Sequence, residues 1–311
     1  MKTPQQSYPE LNKILGIEVY LKREDQHKYG SHKGRSIPVM IKKYAKGEIV
    51  THEDGSEEII NIFKKFVISS SGNSALAAIE SVQAHNRNNG EPVELTVYVG
   101  MHIDNEKLKR LKTIIEDPKI KLEQTARPRQ TAFQAEKNGD VKNLRQSTDD
   151  NALLGYYELA DELNRIPNLQ AIFIPTSSGT TAQALGEAFV NIAPSAWGGA
   201  QHPQIHIVQT TSCHPIAEVF DTPNSEEKSI AGAIVDNIAH RKEKMIDAIK
   251  NSHGSGWIVT NEEILEAQKL VKDTCNIQIS TNSALSIAGL TKALKNGGKF
   301  DGVVVCVITG M

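Results

Sequence analysis

Long apolar runs are missing from this 311-residue sequence. None approaches the roughly eighteen residues that a bilayer-crossing helix needs. Cysteine is scarce: Cys213, Cys275 and Cys306 are odd in number, widely separated and without a CxxC pair. That pattern gives no disulfide framework and no cysteine-based zinc site, and it suits a reducing, cytoplasmic setting. Excess positive charge is lacking too. A formal net charge of −2 at pH 7 argues against nucleic acid or an anionic membrane as the partner, since both select basic patches. The opening residues Met1 to Glu10 do not follow the charged-then-apolar order of an export signal.

Several motifs are absent as well. There is no GxGxxG, and the GGK at Gly297–Lys299 follows no strand pattern, so it reads as a surface turn rather than a nucleotide loop. There is no GxSxG elbow. His202 and His206 flank Pro203, which argues against a shared helical face. They read as strand-edge polar residues, and no metal is expected.

What is present is an ordinary globular composition, 39% hydrophobic and 23% charged. Short apolar runs at Glu18–Lys22, Phe66–Ile68, Leu95–Val99, Ala171–Ile174, Ile205–Val208 and Val303–Ile308 have the consecutive β-branched character of strands covered on both faces. Helical patterns lie between them. Ala75, Leu76, Ile79 and Val82 share one face, and Thr260-Asn261-Glu262-Glu263 spells a capping box. The alternation predicts an open α/β fold with mainly parallel sheet. Gly47–Lys65, with a turn at Asp54-Gly55-Ser56, reads as a surface excursion, and the polar stretch Arg127–Gly139 as a crossing between units. The adjacent acids Asp149-Asp150 read as caps of the helix that follows rather than as a catalytic pair.

In open α/β folds ligands gather at the carboxyl ends of strands, so the strand-to-helix junctions matter most. After Phe66-Val67-Ile68 come Ser69, Ser70, Ser71, Gly72, Asn73 and Ser74, and after Ile172-Phe173-Ile174-Pro175 come Thr176, Ser177, Ser178, Gly179, Thr180 and Thr181. Small hydroxyl residues at a helix start leave backbone N–H groups free for an anion. Either turn alone reads more readily as a capped helix. Two of them suggest a ligand with two anionic groups, or an anionic cofactor beside an anionic substrate. A third junction, Thr309-Gly310 after Val303–Ile308, places a hydroxyl where it can bond a ring nitrogen or simply make a turn. Finally, Gly30-Ser31-His32-Lys33-Gly34-Arg35 precedes a helical pattern. A lysine at a helix amino terminus opposes the dipole by about 0.3–1 kcal/mol when charged. The location favours a neutral amine able to condense with a carbonyl; a lysine reaching to solvent fits the segment equally well.

Taken in order, Lys22-Arg23-Glu24-Asp25, Gly30 to Arg35, Ser70-Ser71-Gly72-Asn73, Ser177 to Thr181 and Thr309-Gly310 resemble the fold type II pyridoxal phosphate enzymes, the tryptophan synthase β superfamily. The resemblance implies two open, mainly parallel α/β domains: residues 1–42 plus 146–311 as the larger, cofactor-binding one, and 43–145 as a smaller inserted one carrying the Ser-Gly-Asn loop. It implies that Lys33 holds pyridoxal 5′-phosphate covalently and shuttles protons, and that Asn73 bonds the cofactor's phenolic oxygen. The amides of Ser177, Ser178, Gly179, Thr180 and Thr181 would hold its phosphate. Thr309 would meet its ring nitrogen, and the turn of Ser70, Ser71, Gly72, Asn73 and Ser74 would take the substrate carboxylate. A small amino-acid substrate and a homodimer follow from the same resemblance.

Ser229–Ile234, Val259–Ala267, Ser283–Leu290 and Val305–Gly310 are most similar to threonine synthase, which converts O-phospho-L-homoserine and water to L-threonine and phosphate. Serine or threonine dehydratase, a β-replacement synthase of the cysteine synthase or tryptophan synthase β type, and a non-catalytic cofactor-binding paralogue are the rival readings. The chain departs from the superfamily pattern in a phosphate loop with a single glycine, in His32 for Phe, and in Ser280-Thr281 where Glu-Pro is usual. Both ends are expected to be shorter than in typical threonine synthases.

Overall fold

Ten α-helices, two short 3-10 helices and twelve strands occur along the described residues. The computed structural model describes residues 2–52, 54, 56–88, 91–191 and 202–310. The chain divides into two compact units, Met1–His27 with Tyr156–Met311, and Lys28–Gly155. Lys33 and the Ser70–Ser74 turn belong to the smaller unit, and Ser177–Thr181 and Thr309 to the larger.

In chain order the larger unit opens with β1 (Gln5–Ser7), α1 (Pro9–Leu15) and β2 (Val19–Arg23). The smaller unit follows with α2 (Lys33–Lys46), β3 (Glu48–Thr51), β4 (Glu57–Ile60), β5 (Lys65–Ser69), α3 (Asn73–Asn88) and β6 (Glu94–Gly100). It closes with α4 (Asn105–Ile114), β7 (Ile120–Thr125), α5 (Pro128–Lys137) and β8 (Val141–Asn143). Helix α6 (Asn151–Leu163) leads back into the larger unit, which continues with β9 (Leu169–Pro175), α7 (Thr180–Asn191), β10 (Gln204–Thr210) and α8 (Lys242–Asn251). The last elements are β11 (Gly256–Val259), α9 (Asn261–Cys275), α10 (Thr281–Lys295) and β12 (Val303–Ile308).

The six-stranded sheet of the larger unit has the order β1-β2-β12-β9-β10-β11. It is parallel except for β1, which runs antiparallel to β2. Its central strands bury both faces: every residue of β12 is buried, as are Ala171 to Pro175 of β9. This explains their unbroken apolar sequences. The polar edge strand β1 is held by the buried Lys22, whose Nζ donates to Thr3 O (2.9 Å), Gln5 Oε1 (3.1 Å) and Glu162 Oε2 (2.5 Å). Thr3 also donates through Oγ1 to Glu24 Oε1 at 2.5 Å. A lysine paired this completely satisfies the requirement that buried charge be neutralised and hydrogen-bonded.

Helix α10 lies against the sheet at Gly289, where a Cβ would come 2.4 Å from Val208 Cγ2. His206 is buried on β10, an interior strand, and not at a strand edge as its sequence context suggested. Its ring stacks on Phe173 with centroids 4.4 Å apart. Trp257 Nε1 donates to its Nδ1 (3.2 Å), which assigns the proton to Nε2, facing Gln204 Oε1 at 3.0 Å. Burial pushes its pKa down to about 3, so the ring is neutral.

The four-stranded sheet of the smaller unit, β7-β6-β5-β8, is parallel throughout. Ile37, Met40 and Ile41 of α2 share one core with Ala75, Leu76, Ile79 and Val82 of α3. The Gly47–Lys65 excursion is a separate antiparallel hairpin of β3 and β4. Its turn is braced by Asp54 Oδ1, which accepts from Ser56 N (2.9 Å) and Ser56 Oγ (2.6 Å); Gly55 lies outside the described residues. Arg127–Gly139 makes no crossing between units. It forms α5 between two strands of one sheet, and its polarity reflects a helix that buries only Ala132 fully. Asp149 acts as the expected cap, accepting from Asn151 N at 3.0 Å. It also accepts from the Tyr44 hydroxyl (2.6 Å), and burial together with this carboxylate raises the Tyr44 pKa. Among the described residues no helix is long and apolar enough to cross a membrane.

Candidate active site

In the larger unit the sheet presents its parallel carboxyl ends on one edge. Strands β9 and β12 are neighbours there, so the turn Ser177–Thr181 and Thr309 leave adjacent strand ends. The turn begins from a fixed point, with Thr176 donating through N to Val208 O (2.9 Å) and through Oγ1 to Ile174 O (2.8 Å). Gly179 reverses the chain in the left-handed region, at φ +85°. A Cβ there would lie 2.8 Å from Met245 Cγ, so glycine is needed for both conformation and space.

Helix α7 starts at Thr180, and Gln183 N bonds back to Gly179 O at 2.9 Å. The first-turn amides of a helix point away from it, which is the donor arrangement that suits an anion. Ser178 Oγ and Thr180 Oγ1 are 2.9 Å apart and share one hydrogen bond. Ser177 Oγ is engaged elsewhere, accepting from Val235 N (3.2 Å) and Asp236 N (3.3 Å) and donating to Asp236 Oδ2 (3.3 Å).

Thr309 is buried just beyond β12. The residue after it is clamped: Gly310 O accepts from Ser280 Oγ (2.7 Å) and Ser283 Oγ (2.6 Å), and Gly310 N donates to Ser283 Oγ (3.2 Å). Ser280 is also the N-cap of α10. In the sequence Ser280 stands out only as a departure from the superfamily pattern, not for this task. Its signal was an N-capping residue type ahead of an apolar helical pattern.

In the smaller unit Lys33 is the first residue of α2, at the positive end of the helix dipole. Pro38 interrupts the helix one turn further on, removing the amide that would close on Gly34 O. Ser31, two residues before the lysine, is fully buried, and its Oγ has no hydrogen-bond partner. The Ser70–Ser74 turn leaves the end of β5 and enters α3 at Asn73. Gly72 O accepts from Ala75 N (2.9 Å) and Leu76 N (3.2 Å), while Gly72 N donates to Ser70 Oγ (3.2 Å). Ser71 and Gly72 are exposed, and a Cβ on Gly72 would meet nothing within 4 Å. The smaller unit therefore offers an amine at one helix start and an open hydroxyl-rich turn at another.

The family model described as pyridoxal-phosphate dependent enzyme matches residues 1–310. A threonine synthase of Methanocaldococcus jannaschii is 32% identical over 162 residues, half of this chain but only 39% of that relative. A threonine synthase of Bacillus sp. (strain ULM1) is 24% identical along 96% of the chain and 79% of its own length. Among solved structures, the processed form of threonine deaminase isoform 2 from Solanum lycopersicum superposes with a TM-score of 0.76 at 18% identity, covering all of this chain and 84% of the other.

Proposed function

Because the chain belongs to the family of pyridoxal-phosphate dependent enzymes, we propose that it carries out elimination and replacement on an amino acid, converting O-phospho-L-homoserine and water to L-threonine and phosphate. The cofactor is pyridoxal phosphate. When bound, it supplies the electron sink that lets a Cα–H bond of an amino acid break.

The residues present suit that group. The first-turn amides of α7, preceded by a left-handed glycine, form a donor set for a phosphate. The buried, unpartnered Ser31 Oγ beside Lys33 marks a polar position the protein itself leaves unsatisfied. In this reading Lys33 supplies the amine that holds the cofactor and moves the proton at the substrate Cα. The amides of Ser177 to Thr181 hold the cofactor phosphate, Asn73 bonds the phenolic oxygen, and the Thr309 hydroxyl meets the ring nitrogen. A hydroxyl there leaves that nitrogen uncharged, because no carboxylate holds a proton on it. The Ser70–Ser74 turn takes the substrate carboxylate through amides and hydroxyls. What carries the reading is the adjacency of β9 and β12, whose neighbouring carboxyl ends lead into the phosphate turn and Thr309. The choice of O-phospho-L-homoserine rests on likeness to the threonine synthases.

Borohydride reduction of the cofactor-loaded protein, followed by peptide mass mapping, is expected to find the label on Lys33. Lys33→Ala is expected to lose covalent attachment and about 10³-fold or more of the activity. A substrate panel then decides the reaction. Phosphate release from O-phospho-L-homoserine supports the proposal, whereas keto-acid release from serine or threonine would replace it with dehydration. Label on any other lysine would remove Lys33 from its role.

A further inference from the structure

From Asp221 to Arg241 the larger unit has no α-helix and no strand. Part of this stretch is held by side chains instead of a ladder. Asn261 Oδ1 accepts from Ile230 N (2.9 Å), and Thr281 Oγ1 donates to Ile230 O (3.2 Å). Asn282 Oδ1 accepts from Ala233 N (2.9 Å). Ser177 Oγ completes the series by accepting from Val235 N and Asp236 N. Asn261 opens α9, Thr281 and Asn282 open α10, and Ser177 opens the turn before α7. The strap at 229–236 thus runs along the carboxyl edge of the sheet, where open α/β folds bind their ligands. Ala231 and Ile234 anchor it in the core, while Ile230 and Val235 face outward.

Ser177 is the one anchor that also belongs to the phosphate turn. A serine hydroxyl has a single hydrogen, and here it is directed to Asp236 Oδ2 at 3.3 Å. A phosphate oxygen accepts and needs donors. The Ser177 hydroxyl therefore offers it nothing, while the amides of the turn and the Ser178–Thr180 hydroxyl pair remain suited to it.

We propose that Ser177 is a positioning residue that latches the 229–236 strap to the cofactor-phosphate turn, so that occupancy of the turn and ordering of the strap favour each other. The proposal rests on the reading of Ser177–Thr181 as the phosphate turn. Its coupling is reciprocal: what rigidifies the turn rigidifies the strap, and the reverse.

The test is amide hydrogen exchange by mass spectrometry on peptides covering 229–236, in wild type, Ser177→Ala and Ser177→Thr, with and without pyridoxal phosphate. A fluorescence titration of cofactor affinity accompanies it. In the cofactor-free protein Ser177→Ala is expected to speed exchange of these peptides about five-fold, the effect of losing about 1 kcal/mol of hydrogen bonding, and Ser177→Thr to restore it. Pyridoxal phosphate is expected to slow exchange in wild type and not in the alanine variant, which binds it about five-fold more weakly by the same linkage. Should the alanine variant misfold, Ser177→Cys keeps the size with a weaker acceptor and is expected to speed exchange likewise.

Unchanged exchange in the cofactor-free variants would overturn the latch. A hundred-fold loss of affinity with unchanged exchange would make the hydroxyl a direct phosphate ligand instead. Wild type that takes up no cofactor would defeat the phosphate reading and with it the coupling, while cofactor-free exchange would still judge the latch alone.

Discussion

The turns at Ser70–Ser74 and Ser177–Thr181 are near-copies in sequence, yet the protein treats them differently. Each follows a strand with a buried centre, carries serines and one glycine, and opens a helix. The second is packed in and tied down by hydrogen bonds. Its glycine is in the left-handed region with Met245 packed against it, Thr180 and Thr181 are buried, and Ser177 is bonded to a segment almost sixty residues away. The first has an exposed Ser71 and Gly72 and open space beside the glycine. One composition thus stands in two settings, one packed and one open, and the surroundings select between them. The contrast agrees with the proposed assignment, since a resident cofactor benefits from pre-organisation, whereas a substrate that enters and leaves at every turnover needs an accessible turn.

Acid should separate the units carrying these turns most strongly. His206 lies on the sheet that supports the packed turn, and its folded pKa of about 3 is far below the ordinary value of 6.5. Between those values the unfolded chain binds a proton that the folded one refuses. The stability that this neutral histidine confers is complete above about pH 6.5 and is lost as pH falls toward 3, by up to about 1.4 kcal/mol per pH unit. Denaturant unfolding followed by fluorescence, with Trp257 hydrogen-bonded to His206, should show this slope, and His206→Gln should flatten it.

Gly179→Ala comes next. A left-handed alanine pressed on Met245 is expected to cost about 2 kcal/mol of stability and to weaken cofactor binding, both measurable by titration. Ser178→Ala removes one shared hydrogen bond and should weaken the cofactor about five-fold, with little change in melting temperature. Gly72→Ala should change stability by less than about 0.5 kcal/mol, since its methyl meets open space, and any effect should fall on the KM for the amino acid. Equal destabilisation by the two glycine variants would erase the distinction between the turns.

Much of this was legible because burial on both faces leaves an unmistakable apolar record, as in β9 and β12. The capping box formed as written, with Glu263 N on Thr260 Oγ1 at 3.2 Å and Thr260 N on Glu263 Oε2 at 2.8 Å. Edge elements left no such record. β1 reads Gln-Gln-Ser, and β7 buries only Ile120 fully. The β3–β4 hairpin turns its cross-strand pair Ile49 and Ile59 outward, against the usual pattern. The turns themselves could be found in sequence, but the hydrogen bonds of Ser177 could not, because they reach two backbone amides and one carboxylate at Val235 and Asp236, remote along the chain and tied to Ser177 by no motif.

Gly289 ties a packing detail to chemistry at a distance. With no side chain, it lets α10 rest on Val208, and the same helix begins at the serines that grip Gly310. A single added methyl at the middle of that rod would act as a fulcrum, tilting its far end and shifting the hydroxyl of Thr309 without touching it. On the proposed assignment, the aim of the Thr309 oxygen is thereby set some two helical turns away, by an atom the protein does not have.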